Sequence, residues 1–495
     1  MLSLLLPGFV FAQAENTKSK DLMIEAPQEQ TSITAHQATI NGKVIRYTVT
    51  TGTIHLKDEK QKPTAAVFYM AYTRDDAKDM ARRPLTFSFN GGPGSSSVWL
   101  HLGVLGPKRV HMDEEGNPYP PPHKLVNNDH SILDKTDLVF IDPVATGYSR
   151  TVLDNKNEHF HGLEEDIRSV GEFIRLYTTR NNRWESPKFL VGESYGTTRA
   201  VGLAHHLQSR HGMYFNGVML ISSILTFQTA RFDAGNDLPY ITFLPTYTAT
   251  AWHHKRLEGD LAAGSLEDAA EAARQFALGE YATALLHGDA LPVEKRAATI
   301  RRLSELTGLS GAFLEEQNMR VSIWEFADEL MRSQNQRVGR LDSRFKSPNR
   351  GYSGGIGGDP SYAAIQGPYT GALNHYVRKE LKFESDLVYE ILNVNLRRWN
   401  YSDFTNRYVN VAPRLVQAMI QNPNLKVFVG NGYYDLATPF FATEFTFNHL
   451  NLDPALRGNI SMAYYPSGHM MYIQIPSLVQ MKKDLDAFIN SAIVQ

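Results

Sequence analysis

Short apolar segments that alternate with amphipathic helical ones predict an α/β chain. The expected form is a mostly parallel central sheet with N-terminal antiparallel strands and an inserted helical cap. Three observations carry this. Residues 31–72 hold three runs rich in β-branched and aromatic residues, "SITAHQATI", "KVIRYTVTT" and "AAVFYMAYT", with Asn41-Gly42 as a hairpin turn signal between the first two. Further on, apolar runs lead one after another into loops: "PLTFSF", "DLVFID", "KFLV", "GVMLIS", then "LKVFVG" and "ISMAYY". From about residue 226 to 369 the strand signal vanishes and helical patterning takes over.

The elements follow in order. The first 14 residues, "MLSLLLPGFVFAQA", form an apolar run ending in Ala12-Gln13-Ala14, an A-x-A cleavage pattern. They predict a signal peptide, 1–14, without the usual basic start, followed by a disordered linker, 15–30. The run is too short to span a bilayer, and no later segment is long enough. The first part of the core is assigned to 31–225. Within it, "LEEDIRSVGEFIRLYTTR" places Leu163, Ile167, Val170, Ile174 and Tyr177 on one helical face. The helical cap is assigned to 226–369, as an insert over the sheet with no separate folding unit. Ser265 to Asp268 reads as a capping box before an Ala-rich helix ending near Gly288. Helical stretches follow near 293–306 and 321–336, then the Gly-rich "GYSGGIGGDPS". The second part of the core, 370–495, closes with a helix carrying Leu478, Met481, Leu485, Phe488 and Ile489 on one side.

Composition narrows the function. The 495 residues are 42% hydrophobic and 21% charged, with a formal net charge of −2 and no cysteine. The charge balance gives no sign of a nucleic-acid partner or an acidic membrane surface. A large exported chain without disulfides fits a periplasmic or extracellular location.

The chemistry is carried by "KFLVGESYGTT". Gly192-Glu193-Ser194-Tyr195-Gly196 lies between an apolar strand and a helix, the setting of a nucleophile elbow. A serine nucleophile needs a base, and the base an orienting acid. Two late strand-end loops offer them in the expected order: Asp435 in "GNGYYDLATP" and His469 in "PSGHMMY". An oxyanion needs two backbone N–H donors. Tyr195 supplies one; the early strand-end loop "NGGPGSSS" supplies the other, since glycine lets backbone approach a substrate closely.

Together, "FNGGPGSSS", "DPVATGYS", "VGESYG", "GNGYYDLATP" and "SGHM" resemble the serine carboxypeptidase family, of the α/β-hydrolase fold, in a bacterial exported form. The likeness runs from about residue 60 to the C-terminus, strong at the loops and weak in the insert. It implies Ser194 as nucleophile, Asp435 as orienting acid and His469 as base. It implies Gly92 and Tyr195 as oxyanion donors, and Asn90 and Glu193 as the binders of a substrate's terminal carboxylate. It implies peptide substrates with a free C-terminus, no cofactor and no metal. Glu193 beside the nucleophile then makes physical sense: protonated, it donates to that carboxylate, and burial near other negative groups raises an acid's pKa.

Three positions depart from the family pattern. Ser88 stands for a tryptophan, Ser95 for a cysteine and Val104 for the second glutamate that would share a proton with Glu193. The same triad also serves esterases and acyltransferases, while a catalytically silent binding protein would not need it. The pairs His205-His206 and His253-His254 are expected to point apart on helices and form no metal site. "DLPYITFLPTYTATAW" either lines the pocket or packs the insert.

Overall fold

The computed structural model describes residues 28–153, 155–349, 358–393, 396 and 399–493. The expected signal peptide, most of the expected linker and the Gly-rich stretch 351–357 lie outside these residues. The linker ends sooner than expected. Glu29 pairs with Arg180 at 2.9 Å, and the Gln30 carbonyl accepts the Thr53 N–H at 2.9 Å. Gly52 makes this approach possible: a Cβ there would sit 2.3 Å from the Gln30 oxygen.

Three strands, β1 (Thr31–Ile40), β2 (Lys43–Lys57) and β3 (Pro63–Arg74), form the antiparallel meander. Asn41 and Gly42 turn the first corner with φ of 50° and 73°, the left-handed pair that a tight hairpin demands. Six parallel strands follow: β4 (Leu85–Phe89), β5 (Asp137–Ile141), β6 (Lys188–Ser194), β7 (Gly217–Ser223), β8 (Lys426–Gly432) and β9 (Ile460–Tyr465). Their spatial order is β1-β2-β3-β5-β4-β6-β7-β8-β9, and the two-residue strand Arg150–Thr151 adds to β3. The chain steps from β4 outward to β5, then returns past β4 to β6. Connections therefore leave β4 and β6 in opposite directions, which opens a crevice at the carboxyl ends of these strands.

Both sheet faces are buried, so the strands read as continuous apolar runs. Phe189 and Val191 pack in one core layer; Leu190, between them, packs in the other. The helices α1 (Leu163–Arg180), α2 (Tyr195–His211) and α7 (Ala412–Gln421) cover the Leu190 face; α6 (Pro360–Lys379) and α9 (Ile475–Ala492) cover the opposite one. Every apolar face residue expected of α1 and α9 is buried.

The insert has its own apolar cluster, built on α3 (Leu238–His253), α4 (Leu266–Phe276) and α5 (Val293–Thr307). The Ser265–Asp268 capping box forms, and Gly288 ends that helical stretch at φ 53°. The cluster also takes in Tyr433, Tyr434, Leu436 and Phe440, from around the loop that carries Asp435. The insert thus shares its core with the sheet's own loops.

Three details of the insert differ from expectation. The stretch 321–336 breaks after α-helix Ile323–Glu329, and Gln336–Val338 pairs with Lys346–Pro348 as a small antiparallel ribbon. The boundary at 369 falls inside α6, whose Tyr362, Ile365 and Tyr369 belong to the main core. Gly367-Pro368 lies within that helix, and the buried face that continues to Val377 holds the helix through it. The rings of His253 and His254 meet edge to face at 4.8 Å, with His254 Nε2 turned to the Ser343 carbonyl at 2.7 Å and His253 packed against Tyr434.

Candidate active site

Ser194 ends β6 and caps α2 at φ 60° and ψ −130°, a conformation that L-residues rarely hold. The flanking glycines permit it. A Cβ on Gly192 would lie 2.0 Å from the Gly196 carbonyl oxygen, and one on Gly196 would lie 2.9 Å from that of Phe89. The serine hydroxyl is thereby presented at the N-terminal end of a 17-residue helix, where the helix dipole favours developing negative charge.

The loop after β4 lies directly on this turn. A Cβ on Gly91 would come within 2.5 Å of the Tyr195 nitrogen. Gly92 follows with φ 103°, open only to glycine. Gly92, Ser194 and Tyr195 line one cavity of about 560 Å³, together with Asn90, Glu193 and His469.

His469 follows β9. Its Nδ1 lies 2.7 Å from Asp435 Oδ2. Asp435 is fully buried after β8 and accepts from the backbone N–H groups of Ala437 and Thr438 and from the Thr438 hydroxyl. The backbone around His469 is clamped as well: its carbonyl accepts from Ser222 Oγ at 2.7 Å, and its N–H donates to Leu341 O at 2.6 Å. Burial opposes the imidazolium. The Asp435 carboxylate and its hydrogen bond outweigh that and hold the His469 pKa above its usual value. An imidazole so held accepts a proton readily and stabilises the cation that results.

Glu193 is buried next to the serine. Burial pushes its carboxyl up to about 7, against the opposing pull of His469 and of its hydrogen-bond donors. Asn90 Nδ2 donates to Oε1 at 2.9 Å, and the Tyr472 hydroxyl donates to Oε2 at 2.5 Å. Near neutral pH this acid carries a proton for much of the time. Val104, where a second glutamate would stand in the family pattern, is fully buried among apolar neighbours. The tyrosines Tyr472 and Tyr369 fill the adjoining volume, both against the missing side chain of Gly103.

Two supporting residues escaped the sequence reading. Tyr472 follows His469 by three positions in a 3-10 turn with no periodic signal. Arg199 reads as an ordinary helical cation on α2. It is fully buried, donates to Asp166 Oδ2 at 2.7 Å and to the Asn90 carbonyl at 2.5 Å, and its guanidinium lies 5.4 Å from the Tyr195 ring centre. With Asn90 Oδ1 accepting the Leu100 N–H, Asn90 is fixed at three atoms.

The pocket-lining stretch "DLPYITFLPTYTATAW" resolves into α3, which sends Phe243 to the cavity and packs most of its other side chains into the insert. Among the described residues no cluster of three His, Asp or Glu side chains is placed to hold a metal, and no helix is long and apolar enough to cross a membrane.

The arrangement agrees with known proteins. Residues 44–260 match the family model described as serine carboxypeptidase. A segment of 117 residues is 38% identical to the pheromone-processing carboxypeptidase of Saccharomyces cerevisiae, covering 23% of this chain and 14% of that protein. A segment of 192 residues is 26% identical to serine carboxypeptidase-like 45 of Arabidopsis thaliana, covering 36% of this chain and 37% of that one. The crystal structure of a prohormone-processing carboxypeptidase from S. cerevisiae superimposes with a TM-score of 0.56 at 17% identity, over 90% of this chain and 91% of the other. The α/β-hydrolase fold is therefore shared over nearly the whole length.

Proposed function

We propose that this chain, which matches the serine carboxypeptidase family over residues 44–260, releases single C-terminal amino acids from peptides. Ser194 attacks the last peptide carbonyl while His469 takes its proton, and Asp435 holds the imidazole in the required tautomer. The N–H groups of Gly92 and Tyr195 receive the oxyanion. His469 then protonates the leaving amine, and water hydrolyses the acyl-enzyme by the same route. Asn90 and protonated Glu193 donate to the free carboxylate of the released residue. This fixes cleavage one residue from the chain end.

The observation that carries this reading is Glu193 itself. A buried carboxyl pushed up to about 7 beside the nucleophile has no use in an esterase that binds neutral acyl groups. It is well suited to meet another carboxylate. The oxyanion and carboxylate roles rest on the contact between the Gly91 loop and the elbow and on the Asn90–Glu193 hydrogen bond. The A-x-A pattern at Ala12-Gln13-Ala14 and the lack of cysteine support export to a periplasmic or extracellular space.

The test uses one peptide in two forms, with a free and with an amidated C-terminus, and mass spectrometry of the products over time. Stepwise loss of single residues from the free form alone is expected, abolished in Ser194→Ala. Internal cleavage, or equal rates on both forms, would sink the exopeptidase reading. A fluorophosphonate adduct at a residue other than Ser194 would overturn the nucleophile assignment.

A further inference from the structure

The cavity that Ser194 lines also carries a cation that the proposed chemistry does not use. Arg340 comes from the insert, in the connection between the two strands of the small ribbon, and lines the same cavity as Ser194 and His469. Its backbone is held on both sides: the N–H donates to Asp359 Oδ1 at 3.1 Å, and the carbonyl accepts the Leu436 N–H at 3.0 Å. Its side chain is not held in this way. Among the described residues the buried Nε has no hydrogen-bond partner, and no carboxylate lies within ion-pair distance. The guanidinium lies over the face of Trp324, 5.8 Å from the ring centre.

The two acids whose charge reaches it are already occupied. Asp359 accepts from the N–H groups of Arg340, Leu341 and Ser361 and from the Ser361 hydroxyl. Asp435 is taken by His469, Ala437 and Thr438. A buried guanidinium with five donors and, among the described residues, no counter-ion within ion-pair distance is an incomplete interaction. The rest of the lining points the same way. Exposed Arg231 adds a second cation, while Glu193 is the lone Asp or Glu side chain among the described lining residues.

We propose that Arg340 is a specificity residue: it binds the side-chain carboxylate of an aspartate or glutamate at the C-terminus of the substrate, the residue that is released. The position follows from the base. His469 protonates the leaving amine; its N–H donates to the carbonyl of Leu341, next to Arg340, and the Arg340 carbonyl accepts from Leu436, next to Asp435, so Arg340 lines the cavity on the side of the base, where the leaving residue sits. The α-carboxylate of that residue goes to Asn90 and Glu193, which leaves its side chain to the arginine. A planar guanidinium takes a carboxylate in a two-bond fork that a lysine would not reproduce.

This inference rests on the carboxypeptidase reading, and the experiment separates their failures. Benzoyl-Phe-Glu, benzoyl-Phe-Gln and benzoyl-Phe-Leu, all with free C-termini, are compared in kcat/KM, and their binding to Ser194→Ala is measured by calorimetry. Wild type should prefer Glu over Gln by about tenfold to a hundredfold, the range of a hydrogen bond to a charged group. Arg340→Met should bring that ratio to about one while leaving the Leu substrate within about threefold. Arg340→Glu should favour benzoyl-Phe-Lys. Equal cleavage of the Glu and Gln substrates by wild type removes the Arg340 assignment and leaves the carboxypeptidase reading standing. So does an equal loss on all three substrates in Arg340→Met, which would make Arg340 a positioning residue. Failure to cleave any of them, with no binding to Ser194→Ala, removes both readings.

Discussion

The strand-end loops and the helical insert contribute to one cavity in different ways. The end of β6 and the loops after β4, β8 and β9 bring Glu193, Ser194, Asn90, Asp435 and His469 to the carboxyl edge of a parallel sheet. Backbone ladders fix where each of these strands ends, so the reacting groups are placed by pairing rather than by side-chain fit. The insert supplies Phe243, Ile323 and Arg340 to the same cavity. Those positions depend on helix packing and on a core shared with the Asp435 loop. The difference teaches a division of labour. Substitutions at the sheet edge should change rates on all substrates; substitutions in the insert should change which substrate is preferred.

The largest effect tests the sheet edge. His469→Ala should lower kcat by about four orders of magnitude on every substrate, and Asp435→Asn by a comparable amount through the wrong imidazole tautomer. Single-turnover kinetics with a chromogenic ester reads both. Activity kept within about tenfold in His469→Ala would mean another base.

Next comes support of the edge from beneath. Arg199→Met leaves Asp166 buried without its partner and should destabilise the fold by about 3–5 kcal/mol in urea unfolding. The double variant with Asp166→Leu should recover most of that stability, since an apolar pair of similar volume replaces the ions. Its kcat should stay low, because the Asn90 carbonyl still lacks its donor. Full recovery of kcat along with stability would show that Arg199 only holds the fold.

A smaller effect concerns the proton on Glu193. The hydrogen bond from Tyr472 favours the ionised form and lowers the pKa that burial raises. Tyr472→Phe should move the Glu193 pKa further up, and the alkaline rise in KM to higher pH by about one unit. A shift downward, or none, would show that Tyr472 serves the neutral acid instead.

The smallest belongs to the insert. Ile323 lines the cavity at the start of its helix and is half-buried. Ile323→Ala should change the ranking of apolar substrates by about tenfold, the value of one or two methylenes in a pocket, with kcat on the preferred substrate nearly unchanged. A uniform loss on all substrates would erase the contrast between the two regions.

What could be read from the sequence follows the same line. The Ser, Asp and His positions were legible because each stands just past an apolar run, and strand ends are marked by such runs. Glu193 was legible because it is adjacent to the serine. Tyr472 and Arg199 were not, since their roles arise from contacts across 279 and 109 residues of chain. The boundary expected at 369 falls inside α6, because burial of Tyr369, Leu373 and Tyr376 in the main core, and no local signal, carries that helix through Gly367-Pro368. Arg340 carries no local signal; only the fold shows that its neighbours' carboxylates are already taken. Val104 supplies no second carboxylate to share the Glu193 proton. Burial supplies what the second acid does not, and raises this carboxyl to about 7 without it.

The central claim is that the acid next to the nucleophile reads chain ends through its proton. KM against pH, for a free-carboxylate peptide and its amidated twin, in wild type and Glu193→Gln, tests it most directly. With the Glu193 carboxyl pushed up to about 7, the claim requires a protonated acid that donates to the terminal carboxylate below that pH and two anions facing each other above it. The account predicts that KM for the free peptide rises above about pH 7 in wild type, stays flat for the amide, and loses its rise in Glu193→Gln, which keeps a donor and cannot ionise. Parallel profiles for the two peptides in wild type would contradict it.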